Sequence, residues 1–375
     1  MKIKAAVLHE MGVPRPYAEK RPIRIEEVEL DPPGPGEVLV QVAIAGVCHS
    51  DLSVVNGNRP RPTPMVLGHE ASGTVVTVGP DVTRVAPGDH VVFVFMPSCG
   101  ACALCRAGRP ALCAKGAATN AAGTLLTGTT RLHRNGQTYY HQVGVSCFAE
   151  HAVVSEHSLV TVDPDLPLDQ AALFSCAVIT GVGAVLNTGA MPAGASAGVI
   201  GLGGTGLAAL LGAKAGDASY VAGFDLLADK RAYATELGAD AVFDPAETDV
   251  IEAVRAATDG GLDYVFECVG NVLAMEFAYA ITRRGGVTVS SGLSHPDQKF
   301  AIQHVNLVAE ERTIKGSYLG SCVVDRDIPR YIELFRAGRL PVDKLISRRI
   351  ALDDLNEAFD RLADGTEIRQ IITFD

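Results

Sequence analysis

Between residues 195 and 318 short apolar runs alternate with longer segments whose apolar positions recur at helical spacing. ASAGVIG (195–201), SYVAGFD (219–225), DAVFD (240–244), DYVFECVG (263–270), GGVTVSSG (285–292) and RTIKGSY (312–318) read as strands. Runs this short and this apolar suit a sheet covered on both faces. GLAALLGAKAG, LADKRAYATELG, DVIEAVRAATDG and LAMEFAYAITRRG lie between them and read as helices. The alternation predicts a doubly wound parallel sheet. Upstream the pattern differs. VLVQVAIAGVC (38–48), GTVVTVG (73–79) and HVVFVF (90–95) are valine-rich and separated by Pro-Gly punctuation, which predicts an irregular β barrel or sandwich. The glycine-, threonine- and polar-rich stretch 115–144 reads as a long excursion, with Asn135-Gly136 as a two-residue hairpin turn. The tail returns to helix and strand in IPRYIELFRAG, LDDLNEAFDRLADG and RQIITFD. The change of pattern near residue 178 predicts two domains, 1–178 completed by 320–375, and 179–319.

Charge narrows the function classes. With 43 acidic against 32 basic side chains and a net charge of −11, the chain is disfavoured as a binder of nucleic acid or of anionic membranes. No stretch of about 20 uncharged apolar residues suggests a membrane span. The N-terminal MKIKAAVLHEMG lacks the apolar run and cleavage site of a secretory signal, so the cytoplasm is the expected location.

Cysteine spacing points to metal. Cys99, Cys102, Cys105 and Cys113 follow C-x2-C-x2-C-x7-C, which lets one loop deliver four thiolates to a tetrahedral zinc closed to water. Such a site is structural. Buried thiols or disulfides are the alternative, and a reducing compartment disfavours the latter. A second donor set is dispersed: Cys48 in GVCHSD, His69 and Glu70 after Gly68, and Cys176 far downstream. Two thiolates and an imidazole make a catalytic zinc set with one position open, although a histidine or cysteine in such surroundings can equally be plain core.

The run 195–200 passes directly into Gly201-Leu202-Gly203-Gly204-Thr205-Gly206 and then an apolar helix, the context that G-x-G-x-x-G requires to bind a dinucleotide. Asp225 closes the next strand about 20 residues on, where a carboxylate accepts from the adenosine ribose hydroxyls and repels the extra phosphate of NADP. NAD is therefore expected, with a helix N-cap as the plainer role for Asp225. Lys230 and Arg231 are the nearby cations that could meet a phosphate instead.

Gly68-His69-Glu70, Gly73, Gly79 and Val82, together with the four-cysteine lobe, GLGGTG, Thr180-Gly181 and the closing segment Glu367 to Phe374, resemble the zinc-dependent alcohol dehydrogenases of the medium-chain dehydrogenase/reductase family. The likeness covers essentially the whole chain. It implies a Rossmann domain that binds NAD and a GroES-like catalytic domain, with two zinc ions per chain. Cys48, His69 and Cys176 would bind catalytic zinc, with Glu70 behind the metal. Asp51 would orient His69, and Ser50 would receive the alcohol proton. Gly201, Gly203, Gly204, Thr205, Gly206, Asp225 and Lys230 would form the cofactor set. His49 and Arg369 would meet the pyrophosphate, and Thr180 would stand near the nicotinamide. The implied reaction is reversible hydride transfer between a zinc-bound alcohol and NAD, giving an aldehyde or ketone, at the junction of the two domains.

Departures from the family pattern refine this. Ser53 stands where many relatives carry a histidine that ends the proton path. His49 stands where several carry arginine. Asn58 and Arg59 occupy positions at which the glutathione-dependent formaldehyde branch carries acids. Phe95 and Met96 predict an apolar pocket. Oxidation of a thiol adduct, hydroxymethyl or S-nitroso, is the alternative within the family, and a non-catalytic zinc and nucleotide-binding protein is the alternative outside it. A homodimer is expected by analogy, with a homotetramer as the second choice.

Overall fold

The computed structural model describes residues Met1–Phe374. It divides into two compact units, one of Met1–Cys176, Val323–Pro329 and the described residues from Ile346 onward, the other of Ala177–Cys322 and Arg330–Leu345.

In the first unit, strands Lys2–Leu8, Ile23–Leu30, Leu132–Arg134, Gln137–His141 and Met65–Val66 close into a small barrel. Beside it lies a seven-stranded sheet in the order Leu159–Val162, His90–Phe93, Ala71–Val78, Glu37–Val47, Arg369–Thr373, Ile346–Ile350, with His151–Ser155 also paired to Glu37–Val47. Glu37–Val47 is the longest of these strands and is nearly continuous in buried valine, isoleucine and alanine. A strand with neighbours on both sides and packed faces has that composition. Its C-terminal end carries Cys48 into the helix His49–Val55.

The expected hairpin is present, with Asn135 and Gly136 both at positive φ (51° and 78°), as a tight turn between right-twisted strands requires. The rest of the excursion is more ordered than its composition predicts. Ala114–Ala122 is a helix, capped at its start by the Cys113 sulfur accepting from Gly116 N (3.3 Å) and ended by Gly123 at φ 70°.

The second unit holds a six-stranded parallel sheet in the order Ala241–Phe243, Tyr220–Phe224, Ser196–Ile200, Leu262–Glu267, Thr282–Ser290, Thr313–Gly316. All the expected strands are there. Strand order reverses between Ser196–Ile200 and Leu262–Glu267, the place where such sheets take ligands at their carboxyl ends. One helix is shorter than its pattern predicts. LAMEFAYAITRRG is helical only to Ile281, and Thr282 opens the next strand. The Thr282 hydroxyl donates to Ala278 O (2.8 Å), which closes the last turn and lets the β-branched residue start the strand.

Segment Arg330–Leu345 falls in the second unit, whereas the sequence reading placed 320–375 wholly with the first. The cause is local burial. Tyr331 is enclosed with its hydroxyl accepting from Asn187 Nδ2 (3.0 Å), Leu340, Val342 and Leu345 are buried, and Arg339 Nη2 donates to Ala215 O (2.6 Å). Among the described residues no single helix is long and apolar enough to cross a membrane.

Candidate functional site

Cys48 is the N-cap of the helix His49–Val55, and Asp51, three residues on, turns back so that its Oδ2 accepts from Cys48 N (3.0 Å). This capping box ties one oxygen of the Asp51 carboxylate to the start of its own helix. Its other oxygen, Oδ1, lies 2.6 Å from His69 Nδ1. Because an ionised carboxylate only accepts, Nδ1 carries the proton and Nε2 keeps its lone pair. That Nε2 is buried and has no hydrogen-bond partner within the chain. A buried acceptor left open in this way calls for a ligand.

Two glycines permit the arrangement. Gly68 has φ +99° and packs on Phe148, so a side chain there would strain the turn and collide. A Cβ at Gly46 would stand 2.6 Å from Glu70 Oε2. Glu70 is buried beside the ring, its Oε1 3.7 Å from His69 Nε2. Both its oxygens accept from Arg369 Nη1 (2.8 and 3.0 Å), which also donates to Val47 O (3.2 Å). Burial pushes the Glu70 carboxyl up to about 8, with the Arg369 guanidinium pulling it down and Cys48 adding to the rise. Cys176 follows the short helical turn Ala172–Ser175 and is buried. A hydrogen bond from Cys176 draws the Cys48 thiol well below the ordinary thiol range, aided by the charges of His69 and Arg369. Phe95 closes the other side of His69, edge to face at 5.4 Å and 88°.

The ligand atoms of Cys48, His69, Glu70 and Cys176 all lie within 4.8 Å of one another. Donors sharing one tetrahedral zinc, with bonds of about 2.0 to 2.3 Å, stand about 4 Å apart or less, so the set is already close to that spacing. Two sulfurs and one imidazole nitrogen suit zinc, and a fourth donor that is already paired to a guanidinium leaves room for an exogenous oxygen. The residues fit the metal.

Cys99, Cys102, Cys105 and Cys113 form the second cluster within the same 4.8 Å limit. Cys102 N donates to Cys99 Sγ (3.4 Å) and Cys99 N to Cys113 Sγ (3.2 Å), and backbone donors at Ala101 and Cys102 draw the Cys99 thiol below its ordinary value. Backbone donors at Cys105 and Ala114 draw Cys102 down to about 6. Cys268 and Cys322 belong to neither cluster, Cys147 Sγ donates to Glu70 O (3.3 Å) behind the first, and among the described residues no cysteine forms a disulfide.

In the second unit Gly201 has φ +85°, and a Cβ on it would meet Val269 Cγ2 at 2.5 Å. A Cβ on Gly206 would run into Gly201 O, while one on Gly203 would meet nothing. Gly201 and Gly206 thus serve packing, and Gly203 leaves its backbone open to an incoming group beside Gly204 and Thr205, which start the helix Gly204–Ala215. These residues fit a pyrophosphate. Asp225 Oδ2 accepts from Leu202 N (2.8 Å) and Oδ1 from Leu227 N (3.0 Å), so the carboxylate braces the glycine loop and keeps further lone pairs. The helix N-cap is Leu227, not Asp225. Arg231 Nη1 is held by Asp225 O, Leu226 O and Asp244 Oδ2 (2.7, 2.9 and 3.0 Å). Lys230 is half-buried, and so is Thr180, whose neighbour Gly181 packs on the helix that starts at Gly204.

His49 and Ser50 are exposed on the first turn after Cys48. Ser53 Oγ donates to His49 O (2.9 Å), inside its own helix. Arg369 is buried beneath Glu70, not presented at the surface. Neither the Glu70–Arg369 pair nor Gln142, whose amide reaches Asp51, is legible in the sequence, since both join segments far apart in the chain.

Residues 34–164 match the alcohol dehydrogenase GroES-like domain, and residues 204–337 the zinc-binding dehydrogenase domain. The chain is similar to the NDMA-dependent alcohol dehydrogenase of Amycolatopsis methanolica, 38% identical over 377 residues and covering 99% of each. Among solved structures it is similar to benzyl alcohol dehydrogenase of Acinetobacter calcoaceticus, with a TM-score of 0.93, 30% identity and 100% of both chains covered. It is also similar to a Sinorhizobium meliloti 1021 chain solved with NADP bound, with a TM-score of 0.81, 27% identity and the same coverage.

Proposed function

The chain belongs to the zinc-dependent alcohol dehydrogenases of the medium-chain dehydrogenase/reductase family, and we propose that it interconverts a small apolar alcohol with its aldehyde or ketone using NAD. The observation that carries this is the gathering of Cys48, His69, Glu70 and Cys176 around one point, with His69 Nε2 buried and unpartnered. We assign one zinc to Cys48, His69 and Cys176, with Glu70 behind it, and a structural zinc to Cys99, Cys102, Cys105 and Cys113. Zinc at the first set supplies Lewis acidity that lets an alcohol lose its proton near neutral pH. The nicotinamide supplies the hydride acceptor.

The remaining work falls to side chains. Asp51 keeps the proton on His69 Nδ1, so the ring offers Nε2 to the cation. Ser50 takes the hydroxyl proton. Ser53 does not extend that path, because its hydroxyl donates to His49 O, so the proton passes from Ser50 to water. Phe95 and Met96 give an apolar lining. Arg369 holds Glu70, and His49, exposed on the turn after Cys48, favours the pyrophosphate. Gly201, Gly203, Gly204, Thr205 and Gly206 cradle it, Lys230 sits nearby, and Thr180 stands at the nicotinamide. The preference for NAD rests on Asp225, and on Arg231 being engaged by Asp244 and two carbonyls, which removes it as a ready partner for a second phosphate. Asn58 and Arg59 stand in place of the acids of the thiol-adduct branch, which counts against that substrate. A homodimer is supported by the edge strand Thr313–Gly316, paired on one side only, and by exposed Val305 and Val308 nearby. Light scattering should return twice the chain mass.

The test is a panel of primary, benzylic and secondary alcohols offered with NAD, NADP or NDMA, the last because the Amycolatopsis relative depends on it. We expect fastest turnover of a benzylic or medium-chain alcohol with NAD. Activity confined to formaldehyde in the presence of added thiol would replace this reading with the thiol-adduct one.

A further inference from the structure

We infer that Gln142 is a positioning residue for the catalytic metal, acting through Asp51; this rests on Cys48, His69 and Cys176 being zinc ligands. Gln142 is 2% exposed, and Asp51 and His69, at 0% and 2%, are equally enclosed. Gly68 N donates to Gln142 Oε1 (2.5 Å), and Gln142 Nε2 donates to Asp51 Oδ1 (2.8 Å). The orientation of the amide is forced. A backbone N–H can only donate, so the oxygen must face Gly68 and the nitrogen must face the carboxylate.

One amide thus ties the residue preceding His69 to the carboxylate that holds the His69 ring. Its own place is fixed by the turn that follows: Gln142 N donates to Ser146 Oγ (2.9 Å), and Ser146 Oγ donates to Val66 O (2.7 Å). Asp51 Oδ1 therefore serves two donors, His69 and Gln142, while Oδ2 serves Cys48 N. The capping box alone fixes Asp51 relative to Cys48. Gln142 fixes it relative to His69, so two ligands from separate segments keep one spacing whether or not metal is present. Removing the amide donor leaves Oδ2 held by Cys48 N but Oδ1 with one restraint fewer, so Oδ1 can shift and the imidazole can follow. Partners of ligating histidines commonly carry 10- to 100-fold of metal affinity, by rough count.

The experiment follows zinc release from the purified protein to a chromophoric chelator, in the unmodified chain and in Gln142→Leu and Gln142→Glu. Gln142→Glu keeps an acceptor for Gly68 N and, at alkaline pH where its carboxyl is ionised, turns a second acceptor toward Asp51, which separates loss of the donor from loss of the whole side chain. The four-cysteine zinc is the internal reference. The expected result is about 10- to 100-fold faster release of one zinc in both variants, with the other zinc released at the unmodified rate. The cobalt-substituted site should show shifted ligand-field bands in the same variants. Release within twofold of the unmodified rate in both variants overturns the inference, and so does equal acceleration of both zinc ions, which marks general loosening. Should neither variant fold, a crystal structure of the zinc-loaded unmodified protein decides. Gln142 Nε2 within hydrogen-bond distance of Asp51 sustains the inference, and a separation beyond about 3.5 Å overturns it. Only one zinc in the unmodified protein would instead refute the ligand assignment itself.

Discussion

His141 shows how burial sets the behaviour of a single side chain in this molecule. Its Nε2 accepts from Arg131 N (3.1 Å), and burial pushes it down to about 4, with the Arg131 charge adding to the fall and Glu37 opposing it. The folded protein thus keeps His141 neutral where the unfolded chain, at the ordinary value near 6.5, takes up a proton. Its contribution to stability is complete above about pH 6.5 and declines as pH falls toward 4, by about 2 kcal/mol between pH 7 and pH 5. In denaturant titrations the cost of His141→Gln, measured against the unmodified protein, should therefore shrink by about that amount over the same interval. A cost that stays constant with pH would contradict it. The same scale shows what sequence reading reaches. His69, Cys48 and Asp51 stand out because the Gly68-His69-Glu70 run and the rest of the zinc signature resemble the family's, since their own spacing is dispersed. Gln142 does not, because its partners Gly68 and Asp51 lie 74 and 91 residues away in the chain and nothing local signals the meeting. Arg369 and Glu70, 299 residues apart, are hidden for the same reason.

Elements were legible where burial imposes a pattern on them. The parallel strands carry apolar residues on both faces, so they read as short continuous runs, and Gly201 and Gly206 mark the turn into the next helix because no other residue fits there. Boundaries were harder. Thr282 ends a helix and begins a strand with one hydroxyl, and the helix Ala114–Ala122 depends on the cysteine lobe before it more than on its own alanine, glycine and threonine content. The strand Tyr220–Phe224 ends at Asp225, which offers a cofactor test. Asp225→Asn drops the charge and keeps an acceptor for only one of Leu202 N and Leu227 N, since its Nδ2 is a donor. Loss of a charge-assisted hydrogen bond worth about 1.5 to 3 kcal/mol should raise the KM for NAD by about 10- to 100-fold, with a smaller effect on NADP. Equal changes for the two cofactors would show that Asp225 only braces the loop.

At the scale of the whole chain, each unit carries one requirement of the reaction. Both donor sets proposed for zinc lie in the barrel-containing unit, where Cys176 is its last residue before the chain passes into the second, and the glycine loop lies in the parallel-sheet unit. The two proposed metal sites differ in chemistry as well as place. Four thiolates satisfy a tetrahedral ion and leave it inert, whereas two thiolates, an imidazole and a carboxylate held by Arg369 leave a position for substrate. Metal content therefore reads the division of labour directly. Zinc should be counted per chain in the unmodified protein and in His69→Ala, alongside NAD-linked oxidation of benzyl alcohol. The expected result is two zinc ions and activity in the first, and one zinc ion with activity lost in the second, its four-cysteine lobe still loaded. A His69→Ala protein that retained two zinc ions, or that oxidised alcohol at the unmodified rate, would contradict the central claim.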